Sequence, residues 1–334
     1  MERRQLSNTD LQVSPVCLGT WQFNAGKADE TWPAQDEQIS KDIVNKAFEL
    51  GVNFFDSAEA YGRHASERVL GKALEGRRRD AIVATKFGGG HKRYTAVEVE
   101  SSLQESLQAL QTDYVDLYQV HWASFMSDVT EIVGELKRQQ AKGRIRHYGV
   151  CNFGAKQLAE FCEAGGSCVT NQVPYNLLWR AVEYEVLPAC SERNVSVLSY
   201  SPLQQGLLSG RFHTPEDVPE GRRRTRHFSC QSTSLSKHGQ GGEETATFQA
   251  ISSLRDACAK ENIPMSSAAL SWILGRQGVA SVIVGCRIPQ QLEDNCKLAT
   301  LSQEFDKQLT EATEELKEKF GLNPDMWAKV SRYN

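Results

Sequence analysis

Short, continuous apolar runs alternate with stretches whose apolar residues recur every three or four positions, and the alternation is regular along most of the chain. The runs are Val16–Thr20, Asn53–Ser57, Ala81–Lys86, Tyr114–His121, Arg146–Asn152, Val169–Val173, Val195–Tyr200 and Ser281–Cys286, each of strand length. Between them, Ile39, Ile43, Ala47 and Leu50 mark a helix closed by Gly51. Val97–Leu110, Val129–Lys142, Lys156–Ala164 and Ala181–Arg193 read the same way. Strands without polar alternation predict a parallel sheet covered on both faces. Eight strand–helix units predict an α/β fold closed into a (β/α)8 TIM barrel rather than an open doubly wound sheet.

Two segments break the repeat. Arg3–Val13, with Asn8, Thr9 and Asp10 at its middle, predicts a hairpin that plugs the barrel bottom. Pro202–Glu244, after the seventh strand, is a long loop of the kind that serves as a functional lid or is a disordered stretch. Thr245–Glu261, Ser266–Gln277 and Asp306–Phe320 read as additional helices, and Gly321–Asn334 has no clear periodicity. With no linker in view, residues 1–334 are expected to form a single barrel domain.

Composition narrows the function classes. A net charge of -4 and a pI near 6.0 argue against nucleic acid as a partner. The nine cysteines (17, 151, 162, 168, 190, 230, 258, 286 and 296) are scattered and form no Cys-x-x-Cys pair. They read as reduced core residues in a cytoplasmic protein, not as a disulfide framework or metal site. No apolar run reaches the ~20 residues of a membrane span, and the first ten residues carry no signal-peptide core. The sequon at Asn194 runs into an apolar strand and reads as coincidence.

In a barrel of this kind the strand C-termini line the active face. They carry Asp56, Lys86, His121, Asn152, Gln172, Tyr200 and Ser201, with Tyr61 in the loop after the second strand. An ammonium beside a tyrosine stabilises its phenolate and makes it a usable acid, and a carboxylate keeps a buried ammonium charged. Lys86 and Asp56 suit those two roles, and His121 suits a hydrogen bond to a carbonyl oxygen near Tyr61. Other signals have bland readings: Gly88–Gly90 as a loop, Arg77–Arg79 as a solvated helix end, and Arg222–Arg224 with Arg226 as a solvated basic loop or a phosphate clamp.

Nearly the whole chain resembles an aldo-keto reductase. The resemblance rests on Val16–Trp21, Phe55–Gly62 with Ser66-Glu67, Thr85-Lys86 and Asp116–His121. Further on it rests on Gly149–Phe153, Asn171-Gln172, Tyr175–Leu178, Ser199–Leu203 and Gly206–Gly210. It implies Asp56, Tyr61, Lys86 and His121 as a catalytic tetrad, with Tyr61 the general acid of carbonyl reduction. It implies a nicotinamide cofactor across the barrel mouth and no metal. Asn152 and Gln172, with Cys151, would hold the carboxamide, and Tyr200 would stack on the ring. Gly19, Thr20 and Trp21 would line the near side, and Ser201, Leu203, Gly206 and Arg211 the pyrophosphate. At the adenosine end stand Gly285, Arg287, Gln291, Asp294 and Asn295. Many members open that motif with Lys-Ser where this chain has Gly285-Cys286, so Arg287 becomes the replacement for a 2′-phosphate contact and NADPH is favoured over NADH. Cys151 stands where serine is usual.

Trp21, Trp122 and Trp179 are expected to wall a pocket for a small carbonyl substrate, with Arg63, His64 and Arg180 at its mouth suiting a carboxylate or sugar acid. The competing readings are a slow-turnover nicotinamide-binding regulatory subunit and a phosphate-handling barrel isomerase.

Overall fold

The computed structural model describes residues 1–27, 32–88 and 93–333. A two-stranded hairpin, β1 (Arg4–Gln5) and β2 (Gln12–Val13), comes first, with Arg4 opposite Val13. Eight parallel strands then close a barrel: β3 (Val16–Gly19), β4 (Phe54–Asp56), β5 (Ile82–Phe87), β6 (Val115–Val120), β7 (Ile145–Cys151), β8 (Cys168–Pro174), β9 (Ser196–Tyr200) and β10 (Val279–Gly285). β10 closes the ring on β3 through Val282–Val16 to Gly285–Gly19 pairing. Each coincides within about two residues with a strand expected from the sequence.

Helices cover the outside: α1 (Glu37–Glu49), α2 (Ala65–Ala73), α3 (Ala96–Leu110), α4 (Val129–Ala141), α5 (Ala155–Glu163), α6 (Val186–Glu192), α7 (Glu244–Lys260), α8 (Met265–Leu274), α9 (Pro289–Cys296), α10 (Gln303–Glu311) and α11 (Glu314–Phe320). Asp36 and Asp128 cap α1 and α4 with side-chain oxygens that accept the orphan amides of their first turns. The helix expected over 181–193 is shorter, because Pro188 is tolerated only in the first turn and residues 181–183 instead form a 3-10 turn. The helix expected over 306–320 is broken in two. Arg180 donates to the Thr310 carbonyl at 2.9 Å and to Thr313 Oγ1 at 3.1 Å, taking an acceptor that a continuous helix would use.

The barrel interior explains how the site is built. Phe54, Ala84 and Leu117 point inward, with Leu6, Leu11 and Val13 of the hairpin beneath them, forming an apolar plug. Two residues further along each strand the same inward face carries Asp56, Lys86 and Gln119. The period of two thus lifts polar groups onto the apolar plug at the C-terminal ends of adjacent strands. The expected loop at Gly88–Gly90 lies partly outside the described residues, since only Gly88 is described. Arg77–Arg79 is not simply solvated: Arg78 pairs with Asp116 at 2.8 Å and Arg77 lies over Phe48.

Candidate active site

Four side chains converge above the plug. Lys86 is fully buried, and its Nζ donates to Asp56 Oδ1 at 2.6 Å, to the Ser57 carbonyl at 2.8 Å and to Tyr61 Oη at 3.4 Å. The other Asp56 oxygen accepts from Gln172 Nε2 at 2.8 Å and Gln119 Nε2 at 3.4 Å. The Tyr61 ring stacks on Trp21 at 5.6 Å and meets the His121 ring edge-on at 6.1 Å. Its loop is pinned from below, because buried Glu59 accepts from Gly88 N at 2.8 Å and from the hydroxyls of Tyr94 and Ser102.

Burial sets the protonation states. It pushes the Tyr61 phenol up to about 12, with Lys86 pulling the other way. Tyr61 therefore stands protonated, as a proton donor, and not as the readily ionised phenol that an adjacent ammonium alone would give. Burial on its own would lower the Lys86 ammonium, but Asp56 and Tyr61 more than reverse this and hold it charged. His121 is driven down to about 3 by burial, then by Lys86, so its imidazole is neutral.

A cavity of about 790 Å³ opens from this floor, within the range of about 300–1,000 Å³ usual for ligand sites. Its walls include Gly19, Thr20, Trp21, Cys151, Asn152, Gln172, Tyr200, Ser201, Leu203, Gly206, Arg211, Gly285, Arg287, Gln291, Asp294 and Asn295, together with Asp56, Tyr61, His121 and Trp122. Every residue expected along a cofactor path therefore borders one continuous space. The amides of Asn152 and Gln172 are already engaged. Asn152 Oδ1 accepts from Tyr200 Oη at 2.9 Å and from Tyr333 Oη at 2.8 Å, while its Nδ2 donates to the His121 carbonyl at 3.1 Å. Gln172 holds Asp56. A carboxamide would bind there by exchange with these hydroxyls.

The loop after β9 makes a cradle. Ser201, Gln204, Gln205 and Gly206 all have positive φ, and a Cβ on Gly206 would lie 3.2 Å from both Arg211 Nη2 and Arg222 Nη1. The guanidinium hydrogen bonds of Arg211, Arg222 and Arg287 go to the Ser209 hydroxyl and to backbone carbonyls. Desolvation, then Arg211 and Arg287, lower Arg222, so positive charge is concentrated on this side of the cavity. This converging cationic cradle fits a polyphosphate. The solvated reading of Arg222 and Arg224 is thereby replaced, since both line the cavity. At the adenosine end, a Cβ on Gly285 would land 1.8 Å from Gln22 Nε2, so the Gln22 amide occupies the space that a lysine at 285 would need.

Four expected pocket residues lie elsewhere. Trp179 is completely buried beside Phe320 and His227, with Nε1 donating to the Pro324 carbonyl. Arg180 is 4% exposed and tied to Glu183 and Glu314, because it organises the break between α10 and α11. Arg63 is exposed outside the cavity. His64 is held between Glu67 at 2.5 Å and Glu105 at 3.3 Å, on the outer side of the Tyr61 loop. In their place the walls contain Trp32, Arg224, Lys237, Trp327 and Arg332. The last two come from the aperiodic tail, where no helical or strand pattern announces a position. The clustering of Trp327, Arg332 and Tyr333 in a few residues was the one available signal.

An eight-stranded parallel barrel with an Asp–Lys–Tyr–His floor and a cationic cradle at its mouth defines a barrel oxidoreductase. The Aldo/keto reductase family model matches residues 15–315, and the chain belongs to that family, whose members use nicotinamide cofactors. It is 31% identical to the NADH-specific methylglyoxal reductase of Escherichia coli (strain K12), over 88% of this chain and 92% of that protein. It is 30% identical to the aldo-keto reductase YhdN of Bacillus subtilis (strain 168), with 92% of each covered. A solved glycerol dehydrogenase from Gluconobacter oxydans superposes with a TM-score of 0.78 at 26% identity, covering 97% of both chains. Among the described residues no helix is long and apolar enough to cross a membrane, and no group of His, Cys, Asp or Glu is placed to hold a metal.

Proposed function

We propose that this protein reduces an aldehyde or ketone, including sugar-derived and anionic carbonyl compounds, to the alcohol with NADPH, and that Tyr61 is the general acid. The observation that carries this reading is the Tyr61 hydroxyl at 3.4 Å from the buried Lys86 Nζ, which Asp56 in turn holds at 2.6 Å. When bound, a reduced nicotinamide would supply the hydride that goes to the carbonyl carbon. Tyr61 gives its proton to the carbonyl oxygen, and the resulting phenolate is stabilised by Lys86, which Asp56 keeps charged. Neutral His121 donates a hydrogen bond to the same oxygen and orients it toward Tyr61. In the reverse direction the Tyr61 phenolate takes the alcohol proton.

The relatives differ in cofactor by name, with an NADH-specific enzyme in E. coli and an NADP(+) aldo-keto reductase in Schizosaccharomyces pombe. Support for NADPH over NADH comes from Arg287 at the adenosine end of the cavity, since Arg211 and Arg222 beside Gly206 would meet the pyrophosphate that both cofactors carry. The test is Tyr61→Phe, with NADPH binding followed by fluorescence. Reduction should fall by about 10²-fold or more with binding retained. Near-normal reduction by the variant would sink the role given to Tyr61.

A further inference from the structure

The aperiodic tail delivers a cation to the reacting end of the cavity that the tetrad chemistry does not use. We propose that Arg332 recognises a carboxylate carried by the carbonyl substrate, so that the enzyme selects oxo acids over neutral aldehydes; this rests on the reductase reading above. The Arg332 side chain lines the cavity and its guanidinium carbon lies 3.5 Å from the Trp122 ring centre. Trp122 directly follows His121, the residue assigned to the carbonyl oxygen.

Arg332 is held ready for a ligand. Its Nε and Nη2 donate to Asp325 at 2.7 Å and 2.9 Å, so one edge of the guanidinium is spent on the tail itself. Asp325 cannot swing away, because it also accepts from the backbone amides of Trp327 at 3.1 Å and Ala328 at 3.2 Å and is fully buried. Among the described residues the opposite edge keeps both Nη1 hydrogens and one on Nη2 without a hydrogen-bond partner, in the planar fork that matches a carboxylate. Stacking on Trp122 fixes the plane of that fork, so little rotamer freedom remains to be lost on binding.

Surrounding charge points the same way. Arg224 lies over Trp21 and Trp327, and Lys237, whose strand partner is Ala328 of the tail, lines the same cavity. Arg332 also contributes to holding the His121 imidazole neutral, which places it within electrostatic reach of the catalytic floor.

The experiment compares 4-oxobutanoate with butanal, which share a reacting aldehyde and differ in the distal carboxylate. The wild type should prefer the oxo acid in kcat/KM, and Arg332→Gln should cut that preference by about tenfold to a hundredfold. Arg332→Lys, which keeps the charge but not the fork, should fall between the two. A ratio that Arg332→Gln leaves unchanged, whether or not both rates drop, overturns the proposal and makes Arg332 a structural tie for the tail. A measurement on the unaltered protein guards against a variant that fails to fold: succinate should inhibit butanal reduction competitively, and succinamide at least about tenfold more weakly. Equal inhibition by the two would overturn the proposal while leaving the reductase reading intact. A wild type that oxidises neither NADPH nor NADH with either aldehyde would instead overturn the reductase reading, and this inference with it.

Discussion

At the floor of the cavity the buried cation of the tetrad, Lys86, is bonded to one Asp56 oxygen at 2.6 Å, and the other Asp56 carboxylate oxygen accepts from Gln172. At the cavity mouth, by contrast, Arg211 and Arg222 after β9 and Arg287 after β10 have, among the described residues, hydrogen bonds only to neutral oxygens. The first region has its charges balanced before any ligand arrives, so the reacting groups are set by the fold alone. The second is balanced only by an incoming anion. The floor should therefore govern the chemical step, and the cradle the capture of cofactor.

The largest effect should come from breaking the balance at the floor. Lys86→Met leaves Asp56 as a buried carboxylate without its cation, which costs about 3–5 kcal/mol of stability when one partner of such a pair is removed. It also removes the group that receives the Tyr61 phenolate, so kcat should fall by about 10²- to 10⁴-fold. Denaturant unfolding and single-turnover kinetics measure the two effects separately. A variant that keeps its stability and loses only cofactor affinity would erase the distinction between the regions.

A change in the cradle should act more weakly and on a different parameter. Arg222→Ala removes one of two guanidiniums that converge on Gly206, and the KM for NADPH should rise by about tenfold with a much smaller change in kcat. Arg287→Ala should narrow the preference for NADPH over NADH, although its Nη1 and Nη2 also hold the Pro33 and Ala34 carbonyls. An equal loss with both cofactors would show that Arg287 serves the loop and not the 2′-phosphate.

The same contrast explains what the sequence revealed. Asp56, Lys86, His121, Asn152 and Gln172 sit at the ends of regular strands, where the period of two and the count of strands fix the face and the rim on which each side chain appears. Trp32, Arg224, Trp327 and Arg332 come from loops and a tail, where position depends on tertiary contacts between segments far apart in the chain. Trp179 and Arg180 show the error in reverse. Their composition suited a pocket wall, but a turn after β8 sends them under the tail, where Trp179 packs on Phe320 and Arg180 takes the Thr310 carbonyl. The state of Tyr61 is not legible in the sequence, because its pKa depends on burial, which outweighs the neighbouring Lys86 and shows only in the closed site.

The smallest expected effect is an absence of titration, and it tests the balanced floor most directly. A free histidine titrates near pH 6.5, but His121 is held down to about 3 and the Tyr61 phenol up to about 12. Neither group changes charge between those values, so kcat/KM for carbonyl reduction, which reports the free enzyme, should be flat from about pH 6 to about pH 7. Stability should behave differently. His121 and His227 both have folded values below the unfolded one, about 3 and about 4, so the unfolded chain binds protons that the folded chain does not. The contribution of these two residues to stability should therefore be complete above about pH 6.5 and decline as the pH falls toward 3–4. Thermal unfolding across that window should show the decline in the wild type and a shallower one in His227→Gln, whose ring packs against Trp179 and does not line the cavity. An activity limb near pH 6.5 that disappears in His121→Gln would mean that His121 is protonated in the free enzyme, and the floor would then carry a second cation without a partner.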